Sequence, residues 1–146
     1  HHVARGQKRD DVRLFKSIRQ GMTAGDIINS KKKTIRRLKK LIKYDMSSFT
    51  DKYKKQSWKK PCSTIFAHLE KDGNRFIHPD SKQARTITVR EAARIQSFPD
   101  GYPDESGFAG PYNKIFRQIG NAVPPLLALR IAEPVHKKFM EAENVR

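Results

Sequence analysis

Residues 85–100, RTITVREAARIQSFPD, and residues 118–125, QIGNAVPP, decide how this chain is read. Arg85-Thr86-Ile87 is β-branched and extended in character. Thr88-Val89-Arg90-Glu91 then fits a capping box, in which the Thr hydroxyl and the Glu carboxylate each take a backbone N–H at the helix start. A helix is therefore expected through Ala92, Ala93, Ile95 and Gln96, stopped by Phe98-Pro99-Asp100-Gly101. In the second stretch Gly120-Asn121 is expected to turn the chain. Asn121 can cap, and Pro124-Pro125 fall in a first helical turn, where a missing N–H is harmless. The last helix is expected from about Val123 towards Phe139, with Pro134 kinking or interrupting it.

Upstream, Asp10-Asp11 precede Val12, Leu14, Phe15 and Ile18, and Gly21 follows. An acidic start, an apolar face and a Gly stop predict a short helix. Thr23 to Asp26 opens a further helical turn through Ile27 and Ile28. Lys33 to Tyr44 is the clearest amphipathic pattern, with Ile35, Leu38, Leu41 and Ile42 on one stripe and Lys32, Arg36, Arg37, Lys39, Lys40 and Lys43 opposite. Tyr44 to Lys60 is expected to be irregular or weakly helical. It carries Phe49, Tyr53 and Trp58 among lysines, a mixture that can stack on bases or anchor a loop. Pro61 to Leu69 alternates like a strand, Lys71-Asp72-Gly73-Asn74 reads as a hairpin turn, and Arg75 to His78 can return as a second strand. Pro103 to Tyr112 is read as a loop. The fold class expected is α+β, mostly helical with a small antiparallel sheet, and no internal repeat is present.

The 146 residues carry a net charge of +16, and its distribution is uneven. Residues 1–60 hold 19 Lys and Arg against 5 Asp and Glu; residues 61–146 hold 12 against 10. The first half suits a polyanion; the alternative is a solvated lysine face. With 36% hydrophobic and 32% charged residues the core is lean. A single cysteine excludes an internal disulfide and a cysteine-based zinc site and fits a reducing, cytoplasmic setting. The histidines lack metal-ligand spacing, so no metal is expected. No apolar run is long enough to span a membrane, and no signal peptide is evident at the start. His1-His2 could be native or the remnant of a tag.

TVREAARIQSFPD resembles motif IX of the cytosine-5 DNA methyltransferases, and QIGNAVPP resembles their motif X. Order and spacing match as well, and the resemblance is strong over about residues 57–135. It implies the C-terminal part of a larger two-domain methyltransferase of the bacterial restriction–modification kind, expressed as a fragment or forming half of a split enzyme. Residues 1–84 would be the target-recognition region; residues 85–146 would be motif IX, a linker loop and motif X. The full enzyme would move a methyl group from S-adenosylmethionine to a cytosine flipped out of duplex DNA. Its partners would be that duplex and an N-terminal catalytic domain.

Residue by residue, the resemblance places Asn121, Ala122 and Val123 at the cofactor pocket. Thr64 matches a Thr that reaches the DNA backbone near the flipped base. His68, Lys71, Arg75 and His78 flank it as DNA contacts, and Arg36, Arg37, Lys39 and Lys40 are candidates for phosphate. Thr88, Arg90 and Glu91 would brace the recognition region. No catalytic residue is expected. The family's nucleophile is a Cys that follows a Pro in motif IV. Pro61-Cys62 lies just upstream of motif IX instead, no Gln follows it, and Pro61-Cys62-Ser63-Thr64-Ile65 fits a recognition-region strand. The Phe-x-Gly-x-Gly loop, the Glu-Asn-Val segment and the Arg-x-Arg of motif VIII do not occur in this sequence. A chain of this kind is expected to be inactive alone. Its last helix, with Val123, Leu126, Leu127, Ile131, Val135 and Phe139, is expected to promote self-association when its catalytic domain is missing. The alternative reading is a stand-alone basic nucleic-acid-binding module, which would have no need of a cofactor-pocket motif.

Overall fold

The computed structural model describes residues 2–45, 50–101 and 108–143. Phe49 and the first part of the loop expected at Pro103–Tyr112 lie outside them. The chain begins with three short helices, α1 (Arg9–Ser17), α2 (Ala24–Ile28) and α3 (Lys33–Arg36), the last running on as a 3-10 turn, Arg37–Leu41. Asp10 and Asp11 sit in the first turn of α1, where negative charge meets the positive end of the helix dipole. α2 starts with a capping box: the Thr23 hydroxyl accepts the Asp26 N–H at 3.3 Å, and the Asp26 carboxylate accepts the Thr23 N–H at 2.8 Å.

Leu14, Phe15, Ile18, Ala24, Ile27, Tyr53, Ile77 and Ala84 bury together in this layer, and Ile35, Leu38, Leu41 and Ile42 pack against them. The apolar stripe is thus used as the sequence suggests, but the helix expected over Lys33–Tyr44 is far shorter. Lys32 provides no side-chain cap. Like charges also stand four residues apart at Lys32/Arg36, Lys33/Arg37, Arg36/Lys40 and Lys39/Lys43, and such pairs destabilise a helix.

The second core forms around α4 (Val89–Ile95) and α5 (Tyr112–Asn121), which pack on each other and on Ile65, Leu69, Phe76, Ile87 and Phe108. Between the two cores the expected antiparallel sheet is replaced, among the described residues, by two isolated bridges. Ile77 pairs in parallel with Lys55 and antiparallel with Thr86. The supposed strand Pro61–Leu69 makes no ladder. Ile65 and Leu69 both point inward while Ala67 and His68 are exposed, an i, i+4 pattern rather than alternation. Turns follow, with the Leu69 N–H on the Phe66 carbonyl and the Asp72 N–H on that of His68, both at 3.0 Å. The expected hairpin turn is a 3-10 turn, Gly73–Arg75.

Lys55 ties the end of α1 to the segment at Ser81. It is 1% exposed, and its Nζ donates to the carbonyls of Phe15 (2.8 Å) and Ile18 (3.2 Å) and to Ser81 Oγ (2.6 Å). A buried ammonium is tolerable only when its donors are satisfied in this way. Burial lowers its pKa from the ordinary lysine value.

Contrary to expectation, Gly120 and Asn121 do not turn the chain; they are the last two residues of α5. Ala122 to Pro124 then leads into α6 (Pro125–Glu143). Asn121 makes no cap for α6; Ser97 does, its Oγ accepting the Leu126 N–H at 3.1 Å from a left-handed backbone (φ 64°). α6 runs through Pro134 without interruption. The bond Pro134 cannot make would go to the carbonyl of Arg130, and on a helix with no buried residue water can take its place. Among the described residues no helix is long and apolar enough to cross a membrane.

Candidate nucleic-acid interface

The start of α4 is the centre of a polar network. The Thr88 hydroxyl accepts the Glu91 N–H at 3.2 Å, and Glu91 Oε2 accepts the Thr88 N–H at 2.7 Å. Arg85 clamps the same carboxylate with two bonds, 2.7 and 2.8 Å, and also donates to the Thr86 carbonyl. Burial pushes the Glu91 pKa upward, but Arg85 and the Thr88 N–H outweigh it and hold the carboxyl at about 2. Arg90 lies half-buried with its guanidinium 5.9 Å from the Phe108 ring centre and its Nη1 buried without a hydrogen-bond partner among the described residues. Sequence reasoning missed Arg85; a cation three residues ahead of a Thr-x-x-Glu box is the signal that could have found it.

His78 belongs to this network rather than to the surface. It is 7% exposed, its Nε2 lies 3.7 Å from Glu91 Oε1, and its Nδ1 accepts the Asp80 N–H at 3.2 Å. Burial and the neighbouring Arg85 lower its pKa, which favours the neutral ring. This burial leaves His78, expected as a DNA contact, little surface to offer.

Thr64 is exposed at the mouth of a cavity of about 310 Å³ that is also lined by Lys54, Ser63, Asp51 and Arg75. Gln56 shapes this wall. Its Oε1 accepts the Ser63 N–H at 3.1 Å, and its Nε2 donates to the Arg75 carbonyl at 2.8 Å. Arg75 is not a free cation. Its Nη1 meets Asp51 at 2.6 Å, the guanidinium stands 5.2 Å from the Phe66 ring centre, and its Nε is buried without a partner among the described residues. His68 and Lys71 are exposed and line a second cavity of about 200 Å³ with Glu70, Arg117 and Asn121.

The structure therefore brings Asn121 beside His68 and Lys71. The contact is tight: a Cβ on Gly120 would lie 2.6 Å from the carbonyl oxygen of Phe66. Ala122 is half-buried and Val123 is 62% exposed, so this connector forms an open edge. One carboxamide with short apolar neighbours fits a single wall of a pocket for a hydrogen-bonding ligand such as S-adenosylmethionine. Arg36, Arg37, Lys39 and Lys40 are all exposed on α3 and its 3-10 extension and line neither cavity. Cys62 is half-buried against the second core, and burial pushes its thiol pKa up, away from the reactive thiolate.

The family model for C-5 cytosine-specific DNA methylases matches residues 5–137. The type II methyltransferase M.Bpa9945I of Bacillus paralicheniformis is 40% identical over 135 residues, 92% of this chain and 29% of that protein. The type II methyltransferase M.AgeI of Thalassovita gelatinovora is 46% identical over 91 residues, 62% of this chain and 20% of that protein. The chain thus spans less than a third of the length of these relatives. No solved structure matches it. The match over nearly the whole chain, with the two motifs packed against one another, leads to one conclusion: the chain belongs to the C-5 cytosine-specific DNA methylase family.

Proposed function

We propose that this chain is the DNA-recognition and motif IX–X part of a DNA (cytosine-5)-methyltransferase of a restriction–modification system. Residues 1–84 grip and read duplex DNA; residues 85–146 brace that region and carry one edge of the cofactor pocket. The observation that carries this reading is the seat of Gly120 on the backbone of Phe66 and Ala67. It makes the Asn121 edge and the Thr64 segment one packed unit, as an enzyme needs when methyl donor and target base must meet.

In this reading the cationic residues of α3 and its extension neutralise phosphates, and Thr64 with Lys54 meets the backbone beside the target base. His68 and Lys71 extend that surface, while Arg75 shapes it from its pairing with Asp51. The Arg85–Glu91–Thr88 clamp holds the wall rigid. S-adenosylmethionine, when bound, supplies the methyl group; Asn121 would hydrogen-bond it, with Ala122 and Val123 alongside. The rest of that pocket, and the nucleophile, would come from a catalytic domain packed on the bare apolar face of α6.

Two measurements on the 146-residue chain test this. Labelled duplex should bind, by fluorescence anisotropy, and tritium from labelled S-adenosylmethionine should stay at background in that duplex. Absence of duplex binding would refute the recognition role. Methyl transfer that vanishes in Cys62→Ser would refute the assignment of Cys62 as a structural residue.

A further inference from the structure

Trp58, the only tryptophan, is 68% exposed. Its backbone is nevertheless fixed. The Trp58 N–H donates to Gln20 Oε1 at 3.3 Å, Ser57 Oγ donates to the same oxygen at 3.4 Å, and the Lys59 N–H donates to Ser57 Oγ at 3.3 Å. The indole meets the buried His78 ring nearly at right angles, with centres 5.3 Å apart. It is therefore a positioned ring with most of its surface in water.

The ring borders a cavity of about 380 Å³, whose apolar lining includes Cys62, Pro79, Ile87 and Ile95. Gln56, Ser57, Lys60, His78, Glu91 and Arg94 also line it, and most of their hydrogen bonds are taken. Gln56 holds Ser63 and the Arg75 carbonyl, and Arg94 makes a two-bond pair with Asp100 at 2.6 and 2.9 Å. Ser57, His78 and Glu91 are likewise engaged, with Gln20, Asp80 and Arg85, so the slot offers stacking area beside the exposed Lys60. Exposed Lys59 and Lys60 follow Trp58 directly, within the half of the chain that holds 19 cations against 5 anions. An aromatic face with flanking cations suits a nucleobase on an anionic backbone, because every base has a π face. The same charge disfavours basic protein segments.

We infer that this slot receives one nucleobase of bound DNA that has left the helical stack, held by stacking on Trp58 whatever the base. Through Gln56 and Ser63 the slot is bonded to the segment carrying Thr64, so stacking and backbone contact share one support. The inference rests on the DNA-binding reading above, and its test separates the two.

Trp58 emission reports the slot directly, since no other tryptophan contributes. The chain is titrated with a fully paired duplex and with duplexes carrying one extrahelical thymine, cytosine or adenine, while anisotropy of a label on the DNA reports binding. All three bulged duplexes should quench Trp58 more than the paired one. Trp58→Ala should weaken bulged-duplex binding about tenfold or more and leave paired-duplex binding unchanged, whereas Trp58→Phe keeps most of the difference. The ring is exposed and its segment is held by the backbone, so these variants should fold, with unchanged circular dichroism. Duplex binding without quenching, or equal losses on paired and bulged DNA, would overturn the inference and leave the DNA-binding reading intact. No anisotropy change with any duplex would overturn both. A blue shift of Trp58 with protein concentration alone would show that another copy fills the slot, and would overturn the inference.

Discussion

A methyl group at position 120 would press on the Phe66 carbonyl oxygen at 2.6 Å, and backbone cannot step aside as a flexible side chain can. Elsewhere in a helix Gly→Ala stabilises by about 1 kcal/mol. Here the clash should win, and Gly120→Ala should destabilise the chain by about 1–3 kcal/mol, read as a lower urea midpoint. A raised midpoint would mean that α5 is not seated on residues 66 and 67. Glu91 predicts a pH dependence. Its carboxyl is held at about 2 against an ordinary 4.5, so the folded state binds its proton less tightly than the unfolded chain. Its contribution is complete above about pH 4.5 and is lost as pH falls towards 2. Discounted for partial exposure it amounts to about 2 kcal/mol. The lowered His78 acts in an earlier window, beginning below its ordinary 6.5. Glu91→Gln should reduce the loss between pH 4.5 and 2 in a stability–pH curve, leaving the share of the other lowered carboxyls, Asp10, Asp80 and Asp100; an unaltered curve would show that the clamp with Arg85 contributes nothing.

α6 is the element least satisfied by its own chain. Seven large apolar side chains from Leu126 to Met140 are 45–67% exposed, and no residue of the helix is buried. Each such side chain gains about 1.5–3 kcal/mol on full burial. The isolated chain is therefore expected to self-associate through α6, seen as light scattering that rises with concentration and falls for Leu126→Glu with Leu127→Glu. A monomer at high concentration, with α6 amides exchanging freely, would show that the helix frays instead. α3 shows the opposite limit. It has a partly buried apolar stripe but neither a cap nor relief from like charges, and it keeps one α-helical turn before tightening.

At the scale of the molecule, charge and chemistry divide along the chain. The basic half forms the N-terminal layer, and the family motifs form the second core. Duplex binding should accordingly weaken with salt, each neutralised phosphate adding about −0.9 to the log–log slope. Replacing Arg36, Arg37, Lys39 and Lys40 with Gln should flatten the slope by about 0.9 for every phosphate that is no longer neutralised. An unchanged slope would move the phosphate-binding surface away from α3 and its extension.

The starts of α1, α2 and α4 were legible in the sequence because dipole complementarity and capping act within three residues: Asp10 and Asp11, Thr23 with Asp26, Thr88 with Glu91. Family membership was legible for a different reason, since two long motifs in order specify it. The candidate site was legible only in outline. Thr64, His68 and Lys71 are exposed, but His78 is buried as an inward brace, and Gln56 and Lys55 emerged as supports that no local pattern marked. These roles depend on partners far away in the chain. Lys55 satisfies carbonyls 37 and 40 residues back, Ser97 caps a helix 29 residues ahead, and Gly120 is shaped by the backbone of Phe66. The same holds for the missing sheet: alternation at residues 61–69 suggested a strand, but Ile65 and Leu69 pack with Phe76 in the second core while Ile77 packs in the first, and that packing overrode the local preference.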